Sequence, residues 1–302
     1  MQNETLNLTS AQAVPLGIYS CLMVILSVLG NTIVIYGSAR HDAIKLDKVS
    51  VIFIQNLAVA DILYTLITVF PSSVTYFAGK WVLGRGWCFV QAQCRFVPGM
   101  VNCVLVLSIT LHRLVLFTFP RRTIVPRTAL LCSVVYWVAA LVITSSILGR
   151  HNAKERFDRE IGACVSTLFE NGGRGARAVL ISTALMIFLP LILICITNIL
   201  ICYIAVKHSR GRRDWKERSR KGILLTCLLS GLFIVSWSPY IARNINSQVS
   251  PPVTQEMELL AYNCLAINSF ANPILYSLTN EAFRKYVLGL PRRLGQLIYF
   301  EC

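Results

Sequence analysis

Apolar residues along this 302-residue chain come in seven long runs separated by short polar segments. The runs are Leu16 to Ala39, Val49 to Ala78, Trp87 to Phe119, Thr128 to Gly149, Ala178 to Val206, Gly222 to Ala242 and Leu259 to Asn280. Each is close to or above the roughly 20 residues that an α-helix needs to cross the hydrocarbon core of a bilayer. In lipid a backbone can satisfy its own polar groups only as a helix or a closed barrel. The pattern therefore predicts an all-α membrane protein, a seven-transmembrane helix bundle. Five of the runs hold no charged residue, whereas the second carries Asp61 and the third carries Arg95 and Arg113. Ionisable groups at that depth are costly and are by default functional candidates. After the seventh run, residues 281–288 place Phe283, Val287 and Leu288 on one side of a helix and charges on the other. This predicts a short amphipathic eighth helix along the inner leaflet, with a frayed continuation of the seventh span as the alternative. The expected organisation is an N-terminal segment over 1–15, the bundle over 16–280, and the amphipathic helix with a short tail over 281–302.

Composition supports lipid as the main solvent. The chain is 55% hydrophobic and 14% charged, with a mean hydropathy of +0.60, against roughly 25% charged residues in soluble domains. The net charge of +15 raises the question of nucleic acid, and its distribution answers it. With the N-terminus outside, the inner segments hold 18 Lys and Arg and the outer segments 8. That asymmetry is the one that retains short loops on the cytoplasmic side, where they meet anionic lipid. Two glycosylation triplets, at Asn3 and Asn7, call for the same orientation. No basic stretch precedes Leu16, so the first span is expected to act as its own insertion signal. The expected setting is the plasma membrane, multi-pass, with membrane lipids and not nucleic acid as partners. No catalytic set stands out: three of the four His (His41, His112, His208) fall on the inner rim and only His151 lies outside. A transporter or channel, the other reading of a multi-pass chain, would call for repeated halves or pore-lining charges.

Most of the eleven Cys, among them Cys21, Cys103, Cys132, Cys195, Cys202, Cys227 and Cys264, lie inside the apolar runs, where a thiol is a small apolar group. Cys88, at the start of the third run, and Cys164, in the second outer loop, lie on the oxidising side, with Cys94 as a deeper competitor for a bond.

With Gly30-Asn31, Leu57-Ala58-Val59-Ala60-Asp61, Trp81 ahead of Cys88, Arg113, Trp137, Pro190, Phe233, Ser236-Trp237-Ser238-Pro239 and Asn272-Pro273-Ile274-Leu275-Tyr276, the chain resembles the rhodopsin-like G-protein-coupled receptors from the first span to beyond the seventh. The resemblance implies a Cys88–Cys164 disulfide, an extracellular ligand and a heterotrimeric G protein as partner. It also implies an activation switch formed by Arg113, Phe233, Trp237, Pro239, Asn272, Pro273 and Tyr276. Pro239 and Pro273 each delete a helix hydrogen bond and so create a kink that can hinge. Trp237 taken by itself would pass for an ordinary core aromatic. Asp61 needs polar company, which Asn31, Asn102, Asn268, Ser269 and Asn272 can bring. The resemblance makes that cluster a site for an allosteric sodium ion, the alternative being a protonated Asp61 that only packs. No other cofactor is expected. The chain departs from the family's Asp-Arg-Tyr: the stretch here is His112-Arg113-Leu114. A weaker resting lock with raised ligand-free signalling is one outcome, and substitution of the missing acid by Glu217 is the other.

For the ligand, the resemblance excludes two classes. Amine receptors carry Asp where this chain has Arg95, and opsins carry a Lys that the seventh run lacks. A guanidinium at that depth suits an acidic group, so a pocket of Arg95, Phe96, Gly99, Ser182, Met186, Trp237, Tyr240, Asn244 and Tyr262 is expected to take a small acidic molecule. The alternative has Arg95 pair with Glu170, Glu256 or Glu258. Mixed charge in the second outer loop keeps a peptide open as well.

Overall fold

The computed structural model describes residues 4–39, 46–119, 124–150, 154–166, 181, 184–208, 213–249 and 254–300, with the backbone alone at 148–150, Ala184, Met186, His208, 213–221, 244–249 and 291–300. Its helices are α1 (Ser10–Ala39), α2 (Lys48–Ala78), α3 (Gly84–Thr118), α4 (Pro126–Arg150), α5 (Leu189–His208), α6 (Arg213–Val249), α7 (Gln255–Thr279) and α8 (Glu281–Phe300). They form the expected bundle. Six of the first seven are long and apolar enough to cross a membrane. α7 falls short because Asn263, Asn268 and Asn272 interrupt its apolar sequence, and two of these, Asn268 and Asn272, are buried.

The bundle is apolar outside and partly polar inside. Large apolar side chains such as Leu29, Leu131, Val142, Ile199, Val235 and Leu278 stand outward and exposed, while Ser27, Asn31, Asp61, Thr65, Asn102, Ser269 and Asn272 are buried. This is the arrangement that a hydrocarbon solvent selects: polar groups meet across helices because lipid offers them no partner. Small residues let the helices approach. A Cβ placed on Gly30 of α1 would sit 3.0 Å from the Pro273 ring of α7.

Prolines shape the helices locally. Pro71 lacks an N–H and its ring crowds the preceding turn, and the helix absorbs this by widening into a π-helical turn over Thr65–Val69. A second π-helical turn, Ala184–Phe188, leads into α5 just ahead of Pro190. Asp47 starts α2 as an N-cap, its carboxylate accepting from the Ser50 N–H at 3.0 Å and the Ser50 hydroxyl at 2.7 Å. Gly79, at φ +65°, ends α2 in the left-handed conformation that glycine adopts without strain.

Three features differ from the sequence expectation. The expected class is all-α, but between the fourth and fifth spans Glu155–Asp158 (β1) and Ala163–Ser166 (β2) pair as an antiparallel hairpin, so the bundle carries a small β element. α6 begins at Arg213, which makes most of the basic third inner loop a helical extension of the sixth span. α8 runs to Phe300, well past residue 288. Charged helix formers such as Lys216, Glu217 and Arg218 carry a helix beyond the lipid-length window by intrinsic propensity, which an apolarity pattern does not register.

Candidate functional site

At one end of the bundle the hairpin folds over the helices and is held from several sides. Cys88 of α3 and Cys164 of β2 form the expected disulfide. Gln91, one turn further along α3, accepts from the Cys164 N–H at 2.6 Å, while its amide nitrogen donates to the Thr68 carbonyl at 3.0 Å. The Tyr76 hydroxyl donates to the Ile161 carbonyl at 2.8 Å, and Trp81 packs on Phe157 with ring centroids 5.8 Å apart. The N-terminal segment closes over the same end. Leu6 N–H donates to Gly79, Asn7 N–H to Arg159, and Thr5 bridges Lys80.

Beneath the hairpin lies a cavity of about 90 Å³ lined by Arg95, Arg156, Asp158, Ile161, Val165, Ser166, Tyr240, Arg243, Glu258, Ala261 and Tyr262. Three of the expected ligand residues, Arg95, Tyr240 and Tyr262, line it. The Arg95 guanidinium stands 4.9 Å from the Phe96 ring centroid and 5.4 Å from that of Tyr262. Glu258, an expected alternative partner of Arg95, is taken by Arg243 at 2.8 Å. The Arg95 Nη1 is buried and has no hydrogen-bond partner among the described residues. Gly99 lies deeper, against the Trp237 ring, where an added Cβ would come within 3.0 Å; lacking a side chain, it admits the indole. Ser182 and Glu170 fall outside the described residues, and of Met186 and Asn244 the backbone alone is described.

Below the cavity Tyr240 meets Trp237 edge-on at 5.9 Å, and Trp237 stacks on Phe233 at 5.3 Å. Pro239 lies within α6 beside them. Beside this column is Asp61, wholly buried. Its Oδ1 accepts from the Asn102 amide and its Oδ2 from the Asn272 amide, each at 2.7 Å. Asn31 donates to the Ser269 carbonyl at 2.7 Å and the Ser27 carbonyl at 3.0 Å, and Thr65 links Ser27 to the Asp61 carbonyl, both at 2.8 Å. Asn268 is buried on the same stretch of α7. A small hard cation takes oxygen ligands, and the donor set fits one: the Oδ1 atoms of Asn31 and Asn102 are buried acceptors without a partner among the described residues.

At the opposite end, His112 takes an acidic partner that its own neighbourhood in sequence does not contain. Its Nε2 lies 2.8 Å from Asp47 Oδ1, joining the end of α3 to the start of α2. Burial alone would raise the Asp47 carboxyl, but the bonds from His112 and Ser50 outweigh it and hold the group well below the usual carboxylate range. Arg113 beside it has a buried Nε with no partner among the described residues. Its guanidinium faces Gly222 of α6, where an added Cβ would sit 3.7 Å from Nη1. The side chains of Glu217 and Ser219 are not among those described. Tyr276 meets Phe283 of α8 edge-on at 6.4 Å, with its buried hydroxyl unpartnered among the described residues. Pro273, one turn before Tyr276, lies inside α7. Two contacts, Gln91 to Cys164 and His112 to Asp47, were missed by sequence reasoning. A buried Gln three residues after the disulfide Cys was the signal available for the first.

A membrane-embedded helical bundle with a disulfide-stapled cavity at one end and an arginine at the other defines a seven-helix receptor. Residues 30–276 match the 7 transmembrane receptor family (rhodopsin family), and the chain belongs to it. It is 27% identical to somatostatin receptor type 5 of Rattus norvegicus, covering 94% of this chain and 80% of that protein. It is 26% identical to neuropeptide Y receptor type 2 of Cavia porcellus, over 95% of this chain and 78% of that one. A GQ-coupled rhodopsin of Mizuhopecten yessoensis is 24% identical over 89% of this chain, which spans 58% of that relative's length. The fold matches squid rhodopsin at a TM-score of 0.84, with 19% identity, over 97% of this chain and 92% of that one.

Proposed function

We propose that this receptor, with its N-terminus outside the plasma membrane, binds an acidic ligand, a small molecule or a peptide, beneath the hairpin and activates a heterotrimeric G protein at the Arg113 end. The observation that carries the reading is that one helix, α6, spans both sites: Tyr240 lines the cavity with Arg95, Tyr240 packs on Trp237 and Trp237 on Phe233, and further along the same helix Gly222 lies against Arg113. A ligand that favours another Trp237 packing turns α6 about Pro239 and lifts Gly222 from Arg113, freeing the guanidinium to meet the G protein. It shifts that equilibrium only by its difference in affinity for the two packings. Tyr276, released from Phe283 by bending at Pro273, turns inward, and Asn272 follows on the same helix. The somatostatin and neuropeptide Y receptors among the relatives support a peptide; the Arg95 site supports an acid. The rhodopsins support no retinal here, since α7 has no Lys.

Asp61, Asn102, Asn268, Ser269 and Asn272 would hold a sodium ion, whose charge would favour the resting packing. Purified receptor should then unfold at lower temperature when sodium is replaced by N-methylglucamine. Asp61→Asn should erase the difference; an equal midpoint in both salts for the native chain assigns the site to water. Asn7, exposed on the outer segment, and Asn3, outside the described residues, are the proposed glycan acceptors, and α8 rests on inner-leaflet lipid.

The full chain expressed with reporters for each G-protein class tests the reading. Output is expected without ligand, because no carboxylate forms an ion pair with Arg113 among the described residues, its Nε being unpartnered and the nearby Asp47 being bonded to His112, and His112→Asp should lower it. Equal output from the two chains removes the weak lock. A chain that reaches the surface and moves no reporter, alone or with acids and peptides, removes the receptor function.

A further inference from the structure

We infer that the cavity beneath the hairpin takes a single carboxylate group, with Arg95 as its counter-ion. The inference rests on the ligand site proposed above and narrows it from acids in general to monoanionic carboxylates.

Charge comes first. Five charged side chains line the cavity, and four of them are matched: Arg243 with Glu258 at 2.8 Å, and Arg156 with Asp158 at 3.5 Å. Arg95 has no carboxylate within ion-pair distance among the described residues, and its Nη1 is buried without an acceptor. One positive charge is left over. Tyr262 shares the guanidinium through a side-chain hydrogen bond and leaves the Nη1 group open; a buried guanidinium N–H without an acceptor is costly, and a ligand that supplies the acceptor recovers that cost.

Shape and chemistry narrow the class. Phe96 and Tyr262 flank the guanidinium, which fixes its orientation and suits it to a planar, two-oxygen partner. The volume of about 90 Å³ is below the roughly 300–1,000 Å³ of ordinary small-ligand sites, so it admits a head group and a few carbons, not a whole ligand. Ile161, Val165 and Ala261 supply an apolar wall for those carbons. A second anionic group would meet Asp158 and Glu258, which disfavours dicarboxylates and phosphates. Two sources share the preferred chemistry, a small organic acid and the free C-terminus of a peptide.

The test uses the purified full chain in nanodiscs, with thermal unfolding and direct binding as readouts independent of signalling. The probes are 4-phenylbutyrate, 4-phenylbutyramide, phenylsuccinate and phenyl phosphate, with Ala-Leu-Phe as free acid and as amide for the peptide arm. At least one monocarboxylate should raise the unfolding midpoint, its amide should not, and the two dianions should be weaker. Arg95→Gln should weaken the carboxylate by about 10- to 100-fold, and Arg95→Lys should keep part of the response. Response to the tripeptide acid alone identifies a peptide C-terminus as the source, and response to 4-phenylbutyrate identifies a small acid. Equal effects of acid and amide, stronger binding of the dianions, an unchanged response in Arg95→Gln, or no shift with either monocarboxylate overturns the proposal. The acid–amide comparison on the native chain holds even where the variants fail to fold. A chain that drives G-protein reporters yet ignores both monocarboxylates keeps the receptor function and loses this inference.

Discussion

The two ends of the bundle are built to different standards. At the hairpin end, backbone and side chains are tied by a disulfide, the two-sided Gln91 amide, the Tyr76 hydroxyl and the N-terminal segment. At the Arg113 end the ties described are fewer, chiefly His112 to Asp47, and Arg113 Nε, His112 Nδ1 and the Tyr276 hydroxyl are buried with no partner among the described residues; the hairpin end has such atoms too, Arg95 Nη1 among them, but there they stand at or near the cavity, inside a frame that is tied on every side. Satisfied polar networks rigidify, and unsatisfied ones mark places where another arrangement is close in energy. The contrast teaches which end receives and which end moves: a binding site gains from preorganisation, whereas an output surface must be able to change.

The sharpest way to break the contrast is Cys88→Ser. The disulfide closes a segment of 76 residues, and its loss should cost about 2–5 kcal/mol by thermal unfolding of purified receptor. A cost within about 1 kcal/mol would mean that the hairpin is held by its other contacts. Next is Gln91→Ala, which strands the Cys164 N–H and leaves the Thr68 carbonyl to the Ser72 hydroxyl; roughly 1–3 kcal/mol should be lost, together with affinity in ligand binding. Gly99→Ala follows. Its new Cβ, at 3.0 Å from Trp237, should cost roughly 1–3 kcal/mol through overpacking and shift ligand-free output in the reporter assay, the packing under Trp237 being where the two ends communicate.

At the other end the same measurements should separate. Asp47→Asn keeps an N-cap but loses the carboxylate on His112, so it should cost about 1–2 kcal/mol while changing basal signalling more than Gln91→Ala does. The pH dependence has a definite sign. A carboxyl held low in the folded protein contributes stability that is complete above its unfolded value, about 4, and is lost as pH falls below it. The Asp47 tether should therefore be intact at pH 7 and disappear only in strong acid, as a denaturation slope below about pH 4 that Asp47→Asn lacks. Gly222→Ala should have the smallest effect, within about 0.5 kcal/mol, because its Cβ reaches Arg113 only at 3.7 Å. A large rise in basal output there would show that the contact holds the resting state more tightly than its spacing suggests.

How much of this was legible in sequence follows the range of each signal. The spans were legible because lipid imposes one long-wavelength apolar pattern on every helix that crosses it. Asp61 and Arg95 stood out as charges against that background, and the structure places Asp61 against Asn102 and Asn272 and Arg95 at the cavity. The His112–Asp47 contact was not legible: 65 residues and a helix pair separate the two, and an acid at the start of α2 looks like a cap, which it also is. Gln91 looked like one more polar residue near a helix start. The hairpin escaped because four-residue strands carry too little alternation to notice. The start of α6 escaped because charged helix formers extend a helix beyond its apolar window, and the length of α8 escaped because Gly289, Pro291 and Gly295 read as helix breakers.

The asparagines of α7 bear on how the chain is assembled. A segment that falls short of a spanning helix's apolarity partitions poorly into the bilayer alone, and α7 gains its footing from Asp61 of α2 and Asn31 of α1, which receive Asn272 and grip Ser269. Coming after six more oily helices, it leaves the insertion machinery when hosts for its amides are already in place. Misplacing it would be the natural failure of biogenesis, and substitutions at Asp61 would be felt first in how many chains reach the cell surface.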